Sequence, residues 1–219
     1  MKKPSVLIVN GYTDDQYEVM FRSRGWQVYH VSYRSDPILS PLDYEANFLL
    51  TKDLVLFTGG ADVSPGFYGE KPEMRTYCDS ARDAYESKLY GVIRGMSIPM
   101  AGICRGGQFL NVMNGGRMLQ HIVGHATGCD HLLRDIPTGR SIMVSSTHHQ
   151  MMVPNLQQGV IVADADVRNE DSCDLPDVEV VSYPRTKCLC FQPHPEFFEQ
   201  GNECPEYFFE LVEGLLDES

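Results

Sequence analysis

In the first half of the chain, short apolar runs alternate with segments whose apolar residues recur at helical spacing. Four of the runs have the length and β-branched content of buried strands: residues 5–10, 26–32, 53–60 and 97–103. The helical segments between and after them are residues 14–25, 80–95 and 106–116. Alternating strands and helices predict βαβ units, and hence a mostly parallel sheet with helices on both faces.

The second half of the chain has a different pattern, in which short β-rich runs are separated by turn residues. These runs are residues 139–147, 159–167, 177–184 and 187–195, and a helical pattern follows at 203–216. We therefore predict one α/β domain over residues 1–219, with a small antiparallel extension beside the central parallel sheet. The acidic stretch 164–177 is predicted to be a solvated loop.

The charge and cysteine content exclude several classes of protein. The 219 residues carry a formal net charge of −12. No basic cluster occurs beyond Lys2 and Lys3, so we expect no binding to nucleic acid or to an anionic membrane. No apolar stretch approaches the roughly 20 residues of a membrane-spanning helix. The seven cysteines are odd in number and irregularly spaced, which favours a reducing, cytoplasmic location over a disulfide framework.

Cys104 lies in the segment GICRGGQ, residues 102–108, where an apolar run ends and a helical pattern begins. Glycines on both sides allow a strained turn that exposes a nucleophile above the sheet, as in the GxSxG elbow. The N-terminus of the following helix favours the thiolate. Taken alone, the pattern fits either a reactive thiol or a core cysteine, because short motifs often match by chance.

A cysteine nucleophile needs a base, and His194 is the best candidate among the seven histidines. Glu196 follows two residues later, so both side chains project to the same face of an extended segment. Pro193 and Pro195 restrict the backbone on either side of the histidine. Together, Cys104, His194 and Glu196 are predicted to form a catalytic triad.

Five other histidines have less specific surroundings. His148 and His149, in the segment SSTHHQ, are further candidates for the base. His121, His125 and His131 lie in a stretch without periodicity, where loop or hinge roles are the default, and their roles stay open. We expect no metal and no cofactor, and we interpret the segment CLC as small buried hydrophobic residues.

Acyl transfer also requires an oxyanion hole of backbone N–H groups. One donor is expected from Arg105, the residue after the nucleophile. The second is expected from the segment TGGAD, residues 58–62, in which Gly60 has no side chain to obstruct a substrate. Such double glycines also serve simply as turns.

Three segments resemble the motifs of class I, triad-type glutamine amidotransferases: TGGAD, GICRGGQ and QPHPE. In that family the nucleophile, base and acid occur in the same chain order as Cys104, His194 and Glu196. A narrower resemblance is to γ-glutamyl peptidases of the γ-glutamyl-γ-aminobutyrate hydrolase type. It is carried by residues 59–70, 82–86, 102–120 and 145–150. The resemblance implies a flavodoxin-like fold and cleavage of a γ-glutamyl amide bond.

Residue by residue, the resemblance implies that Cys104 forms a γ-glutamyl thioester. Gln108 is implied to contact the bound glutamyl group, and the backbone near Thr147 and His148 to hold its α-amino and α-carboxylate ends. The motif RDAYE, residues 82–86, also matches the family. We interpret its charged residues instead as an exposed salt pair at i, i+4 spacing on a helix.

Two differences from the family leave the substrate open. Pro193 stands where an aromatic residue usually precedes the HPE motif, and the connection from Gly116 to Arg140 is shorter than in the hydrolases of the family. The leading hypothesis is a thiol hydrolase acting on glutamine or another small γ-glutamyl amide. The alternatives are a glutaminase subunit that supplies ammonia to a synthetase partner in trans, and a non-catalytic module of the same fold. Homo-oligomerisation is left open.

Overall fold

The computed structural model describes residues 3–11, 15–34, 46–165 and 176–217. Along the chain, the elements are β1 (Ser5–Val9), α1 (Gln16–Ser23), β2 (Gln27–Val31), α2 (Ala46–Leu49), β3 (Leu54–Phe57), α3 (Ser80–Gly95), β4 (Met100–Ile103), α4 (Arg105–Met113), β5 (Arg117–Leu119), β6 (His131–Asp135), β7 (Ser141–Val144), β8 (Met151–Val153), β9 (Val160–Ala165), β10 (Val178–Tyr183), β11 (Cys188–Phe191) and α5 (Glu203–Asp217).

One nine-stranded sheet organises the molecule, in the strand order β2-β1-β3-β4-β11-β10-β9-β6-β7. The strands from β2 to β11 in this order pair in parallel, and those from β11 to β7 pair antiparallel. The short strands β5 and β8 form a separate antiparallel ribbon. The predicted α/β class, with a parallel sheet and an antiparallel extension, is confirmed.

Both faces of the inner parallel strands β1, β3, β4 and β11 are buried, whereas the edge strand β2 is partly exposed. In β1, Val6 and Ile8 pack with residues of α1 and α5, whereas Leu7 and Val9 pack with residues of α3 and α4. This division follows from the two-residue period of a strand, which sends successive side chains to opposite faces. Since parallel strands point the same way, β3, β4 and β11 all end at one edge of the sheet, where the next residues of the chain meet.

Several short elements differ from the sequence-based expectation. The first helix begins at Gln16, and its cap is Asp15, whose side chain accepts from the Glu18 N–H at 2.8 Å. The expected cap, Asp14, lies outside the described residues. The strands β5, β6 and β8 and the helix α2 were not predicted, because runs of three to five residues carry too little periodicity to be recognised.

The ends of the predicted solvated loop 164–177 are buried, which corrects that expectation. The buried Asp164 carboxylate accepts from the Arg134 guanidinium at 2.8 Å, and the buried Asp177 contacts His125. Residues 166–175 lie outside the described residues.

None of the described helices combines the length and the apolar character that crossing a lipid bilayer requires. All six cysteines of the described part of the chain are free thiols.

Candidate active site

Cys104 occupies the turn between β4 and α4, where it is the residue that caps the helix N-terminus. Its backbone has φ 51° and ψ −114°, a conformation that non-glycine residues rarely adopt. The Cys104 N–H donates to the Phe191 carbonyl of β11 at 2.7 Å, which ties the strained turn to the neighbouring strand. The half-buried thiol therefore stands at the edge of the sheet, as predicted for an elbow.

The glycines around Cys104 are required by close packing. A Cβ atom on Gly102 would lie 2.3 Å from the carbonyl oxygen of Gly106, and one on Gly106 would lie 2.0 Å from the carbonyl oxygen of Phe57. Real Cβ atoms do not approach other atoms so closely, so the first turn of α4 can pack on β3 and β4 only with glycine at both positions.

His194 follows β11 and lies beside the thiol. Its Nδ1 is 2.5 Å from Glu196 Oε1, and its ring also hydrogen-bonds to the Cys104 side chain. Its N–H donates to Ser145 Oγ at 2.8 Å, which fixes the backbone. Burial disfavours the imidazolium, but Cys104 and Glu196 outweigh burial and raise the pKa of His194 to about 10. The three residues of the predicted triad are therefore together in the structure.

Phe197 supplies an aromatic wall for the base. Its ring is parallel to the His194 imidazole, with an angle of 2° between planes and 4.4 Å between centroids. The resemblance implies an aromatic residue where this chain has Pro193. Here an aromatic ring is stacked on the histidine by Phe197 instead, three residues after His194. About half of the Phe197 side chain, 51%, is exposed.

Tyr17 of α1 belongs to the site, although no sequence pattern indicated it. Its hydroxyl accepts from the Gly59 N–H at 3.1 Å and lies beside Glu196. Burial, with Glu196 as a second cause, raises the pKa of Tyr17, so the phenol stays neutral. A Cβ atom on Gly59 would lie 2.9 Å from the Tyr17 hydroxyl and 3.0 Å from His194 Cε1, so the end of β3 borders the triad.

The two predicted oxyanion donors occupy conformations that leave their N–H groups available. Gly60 has φ 139°, which is accessible only to glycine, and its N–H meets no acceptor within the described residues. Arg105 is the first residue of α4, and the first N–H groups of a helix have no partner inside the helix. Arg82 holds the glycine turn by donating to the carbonyls of Thr58 and Gly59, at 2.8 Å each.

The charged residues of RDAYE form a buried network rather than the exposed pair that we expected. Arg82 donates to Glu86 at 2.8 Å, which is the expected i, i+4 pair, but both residues are buried. The Arg105 guanidinium, buried as well, pairs with Asp83 and Glu86. Arg105 therefore acts through its side chain as well as its N–H, and the network joins α3 to the elbow and to the glycine turn.

The three predicted substrate contacts have different environments. Gln108 is buried, and its amide donates to Gln192 Oε1 at 3.1 Å. Thr147 is exposed, whereas the His148 imidazole is buried and faces Glu179. Any substrate contact of His148 therefore has to use its backbone, as the resemblance implied.

The other histidines separate into two groups. His121 contacts Arg75, and His149 lies 3.1 Å from Asp62 of the segment TGGAD. His125 and His131 join His148 at a buried carboxylate on β10. Their side chains do not reach the triad.

Comparison with known proteins gives matches over most of the chain. Residues 37–196 match the family described as peptidase C26. The glutamine amidotransferase-like protein YvdE of Lactococcus lactis subsp. lactis is 31% identical over 196 residues, which cover 80% of each chain. The chloroplastic carbamoyl phosphate synthase small chain of Oryza sativa subsp. japonica is 30% identical over 136 residues, covering 62% of this chain and 29% of that protein.

Among solved structures, a glutamine amidotransferase of Thermotoga maritima superimposes with a TM-score of 0.61, covering 100% of this chain and 86% of that one. The sequence identity is 18%, so the comparison bears on the fold alone. The predicted glutamine amidotransferase-like fold is confirmed.

Proposed function

The chain belongs to the peptidase C26 family, and from that premise we propose that it is a cysteine-dependent hydrolase of γ-glutamyl amide bonds. The observation that carries the proposal is the strained, half-buried Cys104 beside an imidazole that Glu196 holds at 2.5 Å. A thiol, a base and a group that orients the base are the components of nucleophilic amide hydrolysis.

In the proposed reaction, Cys104 Sγ attacks the side-chain carbonyl carbon of the γ-glutamyl group, and His194 holds the thiol proton. Collapse of the tetrahedral intermediate breaks the C–N bond, and the imidazolium gives its proton to the leaving amine. Water then attacks the thioester with His194 as base, and its proton returns to the sulfur as glutamate leaves. Glu196 keeps the imidazole oriented and stabilises its charged form.

The developing oxyanion is proposed to accept from the N–H groups of Gly60 and Arg105. Gln108 and the backbone at Thr147 and His148 are proposed to bind the α-amino and α-carboxylate groups of the substrate. The Ser145 contact supports this placement, because it holds the segment 145–148 against the backbone of the catalytic histidine.

Covalent labelling tests the proposal directly. Incubation with the glutamine analogue 6-diazo-5-oxo-norleucine is expected to modify Cys104, and a panel of γ-glutamyl compounds is expected to release glutamate and the corresponding amine. Mass spectrometry of the digested protein gives the labelled position. Cys78 and Cys129 are exposed thiols in the same chain and serve as internal controls that should stay unmodified.

Failure of the analogue to modify Cys104 preferentially, together with no hydrolysis of any compound, would overturn the hydrolase. That result would favour the non-catalytic module. Hydrolysis of some γ-glutamyl compounds but not others would identify the leaving amine.

A second candidate function is that of a glutaminase subunit. It is favoured by the 30% identity to a carbamoyl phosphate synthase small chain, which its name describes as one chain of a synthase. The sequence has no GxxxxGK[ST] segment that would bind ATP in this chain itself. Strong glutamine hydrolysis by the isolated protein would count against this function, and hydrolysis only after addition of a synthetase partner would favour it.

The pH dependence of the rate is expected to report His194. Its imidazolium protonates the leaving amine, and Cys104 and Glu196 outweigh burial to hold its pKa at about 10. We therefore expect kcat/KM to stay level above neutrality and to fall as the pH rises through about 10. In Glu196→Gln the imidazolium loses its counter-charge, so the fall should move to lower pH.

The pH profile is best measured with γ-glutamyl-p-nitroanilide, whose leaving group does not titrate in this range. Glu199→Gln is the matched control, since Glu199 is exposed and lies five residues from the same histidine. If kcat/KM falls at the same alkaline pH in Glu196→Gln as in Glu199→Gln, the assigned role of Glu196 is contradicted.

A further inference from the structure

Three histidines from separate segments converge on the buried carboxylate of Glu179, away from the triad. His131 Nε2 is 3.2 Å from Glu179 Oε1, His148 Nε2 is 3.4 Å from it, and His125 Nδ1 is 3.5 Å from it. Each of the residues Glu179, His148 and His125 is at most 4% exposed. The donor atoms of His125, His131 and Glu179 lie within 4.8 Å of one another.

The outer contacts of two of the rings determine which nitrogens face inward. His148 Nδ1 lies 2.9 Å from the Gln150 carbonyl, which can only accept, so this nitrogen carries a proton. His125 Nε2 lies 3.1 Å from an Asp177 carboxylate oxygen and carries a proton for the same reason. In the neutral rings, the remaining nitrogens therefore direct lone pairs at Glu179.

Lone pairs directed at a carboxylate repel it unless a proton or a metal cation lies between them. Protonation of both His125 and His148 would place two positive rings at a centroid distance of 4.6 Å in a buried site, which is costly.

The inward-facing atoms also lack hydrogen bonds of good geometry to any of the described residues. The inward-facing atoms without a partner are His125 Nδ1, His131 Nε2, His148 Nε2 and both carboxylate oxygens of Glu179, and the outer His131 Nδ1 is unpartnered as well. Buried polar atoms without partners are uncommon in proteins, and a group of them around one point indicates a missing ligand.

We propose that this cluster binds a divalent transition metal ion, best matched by Zn²⁺, through His125, His131 and Glu179, and that the His148 ring, whose Nε2 is 3.4 Å from Glu179, moves in as the fourth ligand. Adjacent ligands of a tetrahedral zinc ion with bonds of ~2.1 Å lie about 3.4 Å apart, close to the separations of the histidine nitrogens from Glu179. Imidazole nitrogens suit this group of metals. Asp177 and the Gln150 carbonyl are placed to orient two of the ligands.

The site is structural in character, because four protein ligands close it and leave no position for a substrate. It would join three parts of the fold: the connection before β6, the segment after β7 and the strand β10. The Glu179 backbone carbonyl also accepts from the Gln192 N–H at 2.8 Å, and the Gln192 side chain accepts from the Gln108 amide. The metal would thus stiffen the wall of the active site without taking part in bond cleavage.

The metal content of the purified protein tests this proposal independently of any activity. Elemental analysis after exposure to Zn²⁺ and removal of the excess is expected to give about one ion per chain. Substitution with Co²⁺ should give the visible absorption of a tetrahedral site. In His131→Ala, competition with a chromophoric chelator should show at least ~10–100-fold weaker Zn²⁺ binding.

His121→Ala is the matched control, because His121 is in the same region and contacts Arg75 rather than Glu179. The control is expected to bind Zn²⁺ as tightly as the wild-type protein. Metal binding by wild-type protein that is substoichiometric, or that is weakened equally in both variants, would overturn the proposal. Because the Zn²⁺ stoichiometry and Co²⁺ spectrum are measured on wild-type protein, unfolding of a variant does not obscure the answer.

Discussion

Replacing Cys104 by alanine is expected to abolish hydrolysis of γ-glutamyl amides, with kcat falling by a factor on the order of 10⁴ or more. Without the sulfur no thioester forms, and the backbone donors alone retain only a small part of the rate enhancement. The fold should persist, because alanine and cysteine carry the same backbone strain at φ 51°. Glutamate release and the melting temperature should be measured on the same preparation.

Cys129→Ala provides the matched control, since it removes an exposed thiol elsewhere in the chain and should leave kcat unchanged. Substrate should still bind to Cys104→Ala, and a rise in melting temperature with added glutamine would measure that binding. Full hydrolysis by Cys104→Ala would contradict the assignment of the nucleophile.

Replacing Arg105 by methionine is expected to destabilise the protein by about 3–5 kcal/mol. The guanidinium pairs with Asp83 and Glu86, and all three side chains are almost completely buried. Its removal leaves two buried carboxylates, of which Glu86 keeps the Arg82 guanidinium and Asp83 keeps the N–H and hydroxyl donors of Ser64. Urea unfolding should show a lower midpoint with an unchanged slope.

Arg140→Met is the control for the loss of one positive charge. Arg140 pairs with Glu210 at 2.8 Å, but both side chains are about half exposed, at 48% and 54%, so its loss should cost less than ~1 kcal/mol. The folded fraction of Arg105→Met should still be labelled at Cys104, because the substitution keeps the backbone N–H. Equal destabilisation by the two substitutions would show that the buried network does not stabilise the fold.

The long, strongly patterned elements were predictable from sequence, and the short ones were not. Helix α3 has the predicted bounds, because sixteen residues of helical spacing give a clear signal. Strand β6 was missed, because five residues beginning at His131 have exposed neighbours and no flanking pattern of their own. Its identity as a strand comes from pairing with β7 and β9.

Within the candidate site, local motifs predicted the residues that the chain itself places together. The glycines around Cys104 specify a turn, and Glu196 reaches His194 because it is two residues away. Tyr17 could not be found in this way, since its contact with Gly59 depends on how α1 packs over the sheet edge. The burial of the RDAYE charges likewise depends on packing, because helical spacing alone does not distinguish an exposed ion pair from one covered by α4.

The α/β class, the elbow at Cys104 and the pairing of His194 with Glu196 were all predictable from the chain alone, because each depends on periodicity or on residues close along the chain. Only the tertiary structure placed Arg105 against α3 and brought His125, His131 and His148 to Glu179. Those contacts join residues 19 to 54 positions apart, and they follow from the order of strands in the sheet. Strand order is set by long-range packing of the whole core, which no local pattern records.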